Sequence, residues 1–187
     1  SMVVKFDVAS RDRLDSYQAP DGTDQGLAYG AGSLWYSDAA TNAYDGQILE
    51  LAPDTGAVRS EINTGYDPYG LAYGDGSLWV AEVTGVPNNV YEFSSDGTQI
   101  GSFDIGGPAG SKGPQGLAYY NGSVWVGTNS ALYELGPNGG VVQEINEHDG
   151  GYKGLAGTST ALYGPDGDGT LTVVLGNEGS NPTGSLA

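Results

Sequence analysis

The sequence has no cysteine, one histidine, one methionine and six basic residues among its 187. Without cysteine there is no disulfide to staple the chain and no thiolate nucleophile. The lone histidine, His148, leaves little for acid–base chemistry near neutral pH. Six Lys and Arg face 23 Asp and Glu, a formal charge of −17 and a pI near 4.1. A field of that sign repels nucleic acid and anionic membrane surfaces, so neither is an expected partner. No apolar run approaches the ~20 residues of a spanning helix, and no leader-type apolar segment is visible. Scarce lysine with abundant acid suits either a protein of a salt-loving organism or a secreted protein with a cation-attracting surface.

Glycine is plentiful, at 33 residues, and 38% of the chain is hydrophobic. That is enough for one domain with a core, residues 1–187, with residues 177–187 read as a loose tail. The order in the sequence lies in a repeat. "PYGLAYGDGSLWVAE", residues 68–82, has counterparts whose Gly-Leu-Ala begins at Gly26, Gly116 and Gly154, at spacings of 44, 46 and 38 residues. Nine residues after each glycine stands a large aromatic, Trp35, Trp79, Trp125 or Tyr163, which sets the register without gaps. These four are expected in the core because they recur in every copy.

Within a copy, "GLAY" and "SLWV" are apolar runs separated by a Gly-, Asp- or Asn-containing turn of the kind that closes a tight hairpin. The sequon at Asn121 falls in such a turn, and its asparagine is assigned to the turn. A third run follows ("QILEL", "NVYEF", "ALYEL"), then a turn and a fourth ("AVRSEI", "TQIGSFDI", "VVQEI"). Four antiparallel strands in 40–45 residues, apolar on both faces of the first two, match one blade of a β-propeller.

Residues 3–19 align with third and fourth strands, and "KGLAGTSTALYGP" with first and second ones. The reading is therefore an all-β propeller of four blades, its ring closed by Val3–Phe6 pairing beside the strand of Leu162 and Tyr163. A strand-swapped homodimer is the alternative to that closed monomer. Residues Thr170–Gly176 are left over in this scheme, as an edge strand or the start of a further blade.

The phrase "GLAY-x-x-GSLWV", followed by "LYEL" and a Pro-Asp-Gly turn, resembles the repeats of NHL and YVTN-type β-propellers. More loosely it is similar to virginiamycin B lyases and glutamine cyclotransferases. The lyase resemblance implies histidines and a glutamate around a divalent metal, and a single histidine cannot form that pair. The resemblance implies the fold; activity has to come from the site.

In a propeller, loops from fourth to first strands and from second to third strands share a face. On that face the sequence puts Asp38, Glu82 and Asp166 at one offset, with Thr128 in the remaining copy. Second strands stand about 4.8 Å outside the channel-lining strands, too far for three such carboxylates to share one Ca²⁺ at about 2.3–2.6 Å. They form a rim of strand-end charge; Ca²⁺ held in or near the channel by carbonyls or waters is the cofactor reading that survives, and no other cofactor is expected. Gln25, Tyr69, Gln115 and Lys153, immediately before each glycine, lie nearer the axis. Tyr66, Asp67, Asn88 and Asn89 complete an expected ligand patch of exposed aromatics, carboxylates and amides. Glu50, Glu92 and Glu134 recur in third strands and read as structural.

The expected function is a noncatalytic binding or scaffold propeller taking a small molecule, glycan or protein on the loop face. The rival is a lyase- or hydrolase-type enzyme using His148, Glu147 or Lys153. A repeat unit without activity of its own is a third reading.

Overall fold

The computed structural model describes residues 2–7, 9–19, 23–39, 46–82, 89–105, 113–129, 131–146, 152, 154–165 and 171–176. Every regular element among them is a β-strand. A hairpin of β1 (Met2–Phe6) and β2 (Arg13–Gln18) comes first. Three four-stranded sheets follow, each an antiparallel meander in chain order. They are β3 (Thr23–Gly30) to β6 (Val58–Asn63), β7 (Pro68–Gly74) to β10 (Gln99–Asp104), and β11 (Gly116–Tyr120) to β14 (Val141–Asn146). Between those ends lie β4 (Ser33–Ala39), β5 (Gln47–Leu51), β8 (Ser77–Glu82), β9 (Asn89–Ser94), β12 (Ser123–Gly127) and β13 (Ala131–Leu135). A three-stranded sheet of β15 (Ala156–Gly157), β16 (Ala161–Pro165) and β17 (Leu171–Gly176) completes the described residues.

The turns obey the local chemistry. Asp75 and Asn121 take φ of 52°, each followed by a glycine at 82° or 84°. Both central residues of these hairpins thus lie in the left-handed region, as a type I′ turn needs. The Asn121 assignment therefore holds. In the first copy Ala31 is forced to the same φ of 52°, where a Cβ is strained.

Successive sheets face each other through their first strands. A Cβ on Gly26 would lie 2.2 Å from the Tyr69 carbonyl oxygen, and one on Gly70 would lie 2.4 Å from that of Gln115. The repeated glycine exists because backbone meets backbone there. Outside this seam, Trp35 packs with Leu71, Leu78 and Phe93 of the next sheet, and its ring stacks on Tyr73 at 6.4 Å. Trp35 and Trp125 are buried, while Trp79 and Tyr163 are half-buried.

Each four-stranded sheet also carries an internal tie. Ser33, Ser77 and Ser123, which open the second strands, donate to Glu50, Glu92 and Glu134 at 2.5, 2.6 and 2.7 Å. Registers put each of these glutamates directly opposite the tryptophan of its sheet. The recurring glutamate is thus a fixed acceptor within the blade.

The expected closure is corrected. The edge of β16 is taken by β17, with Leu162 opposite Leu175 and Tyr163 opposite Val173, and β1 pairs with β2. The leftover segment is thus the third strand of the last sheet. Pairing β16 with the segment that follows it closes a short loop, whereas pairing it with Val3–Phe6 would close nearly the whole chain into one loop at greater entropic cost. No ladder joins β1 or β2 to the last sheet among the described residues.

Candidate functional site

The segment joining β6 to β7 is held by Thr64. Its amide donates to the Gly46 carbonyl at 3.0 Å, and its hydroxyl reaches the carbonyls of Gly46 and Tyr66 at 2.7 Å each. Gly46 can sit there because it has no Cβ, which would lie 2.0 Å from the Tyr66 carbonyl. This clamp turns the Tyr66 ring inward, onto Tyr91 of β9, with centroids 4.3 Å apart and planes at 19°.

Strands β8 and β9 pair Val80 with Tyr91. Glu82, two residues beyond Val80, therefore shares the face of Tyr91. The Tyr91 hydroxyl donates to Glu82 Oε2 at 2.8 Å and accepts from Asn89 Nδ2 at 3.0 Å. Tyr66, Asp67 and Glu82 are each only 9% exposed. Among the described residues two polar atoms here find no hydrogen-bond partner, the Tyr66 hydroxyl and Asp67 Oδ1.

The electrostatics follow. Burial, then the hydrogen bond to Glu82 and its charge, push the Tyr91 phenol up to about 12, with Asn89 pulling the other way. Tyr66 is raised further, by burial first and then by Tyr91 and Glu82. Burial also raises the Asp67 carboxyl above its ordinary value. The site therefore holds a carboxylate oxygen and a protonated phenol, both kept from water and both without a partner among the described residues.

This differs from the exposed patch read from sequence. Tyr66 is buried because its ring joins the core group of Trp35, Leu71 and Phe93. Glu82 is not strand-end surface charge, because Tyr91 takes it as an acceptor. At the equivalent offset Thr128 closes its own turn, its hydroxyl accepting from the Ala131 amide at 3.1 Å and reaching the Ala131 carbonyl at 3.0 Å. Asp38 is half-buried on β4, opposite Gln47. Tyr69 and Gln115 lend their carbonyls to the inner seam, where the Ser37 hydroxyl also donates to Tyr69 at 2.6 Å. Gln25, half-buried, precedes Gly26 on that same seam.

Structure thus unites Tyr66, Glu82 and Asn89 and adds Tyr91, while Asp67 is buried next to Tyr66 in the chain. The sequence held the signal for Tyr91 in the hairpin register, which places it beside Glu82. Asn88, Glu147, His148, Lys153, Asp166 and Asp168 lie outside the described residues. Among the described residues no three His, Cys, Asp or Glu side chains converge as a metal site.

No protein-family model matches the sequence, and no curated protein is significantly similar to it. Solved structures are similar in fold. The glutaminyl cyclase of Myxococcus xanthus superposes with a TM-score of 0.67 at 16% identity, over 83% of this chain and 67% of its own. The β-propeller domain of Cps50 (Swd1) from Myceliophteria thermophila gives 0.61 at 10% identity, over 93% of this chain and 59% of its own. The computationally designed protein Ika4 gives 0.59 at 16% identity, over 83% of this chain and 92% of its own. The matched region thus spans about three fifths to two thirds of the two natural neighbours and most of the designed one. Consecutive four-stranded meanders, glycine-lined inner seams and these superpositions establish the chain as a repeat protein with the β-propeller fold.

Proposed function

We propose that the protein is a noncatalytic binding propeller, and that the Tyr66–Asp67–Glu82–Tyr91 cluster receives a small polyhydroxylated ligand of the glycan type. The supporting observation is the pair of unpartnered atoms, the Tyr66 hydroxyl and Asp67 Oδ1, in residues nine-tenths buried. A buried polar group left unsatisfied costs about 1–3 kcal/mol. A ligand hydroxyl that donates to Asp67 and exchanges a hydrogen bond with Tyr66 recovers that cost. Carboxylate acceptors and a phenol hydroxyl suit a sugar's hydroxyl edges, which need both acceptors and donors.

Screening the protein on a glycan array, then titrating a hit by calorimetry, tests this. Asp67→Asn and Tyr66→Phe should each weaken binding roughly tenfold, the equivalent of one hydrogen bond of about 1.4 kcal/mol, with circular dichroism unchanged. Equal binding by both variants and the parent would place the ligand elsewhere and sink the proposal.

A further inference from the structure

Each inner strand presents a glycine to the backbone of the next. Gly26 faces Tyr69, Gly70 faces Gln115, and Gly116 faces Gly154, whose Cα would lie 3.0 Å from a Cβ added to Gly116. A Cβ on Gly154 itself would meet nothing within 4 Å. The residues that follow these glycines receive the preceding sheet. Leu71 and Leu117 are 5% and 3% exposed, and the rings of Tyr73 and Tyr119 lie against Gly30 and Gly74. Leu27 and Tyr29 hold the same places on β3, yet are 50% and 66% exposed. With Val3, Tyr17, Lys5 and Arg59 they line an open cleft of about 510 Å³. The hairpin β1–β2 covers only the outer part of this sheet, packing Val3 and Tyr17 on Leu34, Tyr36, Leu49 and Leu51.

The chain therefore carries both halves of one more inter-sheet seam, and the described structure leaves both uncovered. We propose that the β3 face of one copy receives β15 and β16 of a second copy. Two chains then associate head to tail, with Gly154 of each approaching the Gln25 carbonyl of the other as Gly70 approaches Gln115. A second copy fits because the two halves do not meet among the described residues of one chain: none of them stands at Gly154, and Leu27 is half exposed. Charge does not oppose the contact: the cleft is lined by Lys5, Arg59 and Asp54, with Lys5 bridged to Asp54 at 3.6 Å, and β15 and β16 contain no charged residue. Two such seams join the copies around a two-fold axis, so the association closes at two and does not run on as a fibre.

Sedimentation velocity and light scattering across protein concentration, in 1 M NaCl to screen the repulsion between like-charged copies, read the result. The parent should pass reversibly to twice 19.2 kDa. Leu27→Asp should weaken association roughly tenfold or more. So should Gly154→Leu, whose Cβ meets none of the described atoms of the single chain within 4 Å, with the circular dichroism and melting temperature of the dilute, unassociated protein checking that its fold is kept. An equimolar mixture of the two variants keeps one intact seam and should associate more tightly than either alone. A mass of one chain at every concentration overturns the proposal; if Leu27→Asp then also lowers the melting temperature by several degrees, the face is covered within one chain. A dimer that neither variant weakens equally overturns it, since the copies would then meet elsewhere.

Discussion

Replacing Gly70 by alanine puts a methyl carbon 2.4 Å from the Gln115 carbonyl oxygen and 3.0 Å from the Leu117 amide nitrogen. Ordinary non-bonded contact is at about 3.5 Å, so relief requires roughly 1 Å of separation between β7 and β11. Neither obstacle is the tip of a flexible side chain. Both are backbone atoms of a strand whose other neighbours are fixed, with Leu117 paired to Val126 and the Gln115 amide bonded to the Gly127 carbonyl at 2.8 Å. Overpacking of this kind costs about 1–3 kcal/mol or more, against a gain of roughly 0.4–1 kcal/mol from a stiffer unfolded chain. For a domain of this size, a change of about 1 kcal/mol moves the melting temperature by about 2–4 °C. Differential scanning calorimetry should therefore show Gly70→Ala melting several degrees below the parent. The control is Gly154→Ala, which occupies the same repeat position but meets none of the described atoms within 4 Å; at protein concentrations where the chain is single it should melt within about a degree of the parent, a surface-level effect. Equal melting of Gly70→Ala and Gly154→Ala would refute the claim that the repeated glycine is a backbone-contact residue.

Asp67→Asn should raise the melting temperature at pH 7. Burial raises the folded-state pKa of Asp67 above its ordinary 3.8, so its ionised form opposes folding; the stability tied to protonation is full below the ordinary value and lost as pH rises through the folded one. The advantage of the asparagine variant should accordingly vanish at pH 3, and an advantage independent of pH would show that packing, not charge, is responsible. The charge of −17 predicts a melting temperature that climbs between 0.1 and 1 M NaCl, as the screening length falls from about 10 Å to about 3 Å. An uncharged osmolyte of matched exclusion is the comparison, and an equal rise with both would discount charge. Millimolar Ca²⁺ should add no more than its small ionic strength supplies, whereas a rise of several degrees would reveal a bound ion.

The strands were legible because three separate local signals agree. The Asn-Gly and Asp-Gly pairs set turns, the apolar runs set faces, and the recurring Trp sets register, so third strands such as Gln47–Leu51 and Ala131–Leu135 stand where the sequence puts them. Which strand closes which sheet was not legible, because the pattern of β1 and that of β17 both suit the edge of β16. Val3–Phe6 and Leu171–Gly176 are both short and rich in branched residues, and repeat alignment assigns the first to the third-strand place and leaves the second over. Only proximity along the chain separates them, and it favours β17.

The site was half legible for a similar reason. Sequence alignment assigns Glu82 and Asp38 the same offset, and an offset says which end of a strand a residue occupies but not what stands across the hairpin. Opposite Val80, two residues before Glu82 on the same face, lies Tyr91, whose hydroxyl reaches Glu82 at 2.8 Å and whose ring is stacked by Tyr66. The equivalent place beside Asp38, opposite Tyr36, is taken by Leu49, which brings no hydroxyl. One tyrosine thus separates a buried acceptor from a half-buried rim carboxylate at equivalent positions. The consequence reaches the loop before β7: with Tyr66 committed to the ring of Tyr91 and Thr64 committed to Gly46, Asp67 is carried into a place where its Oδ1 has no partner. A fold of near-identical blades has no packing need for that arrangement in one blade alone, since the seams and serine–glutamate ties already hold the sheets. The departure from repetition, more than any repeated residue, is therefore the feature on which the binding proposal for this blade rests.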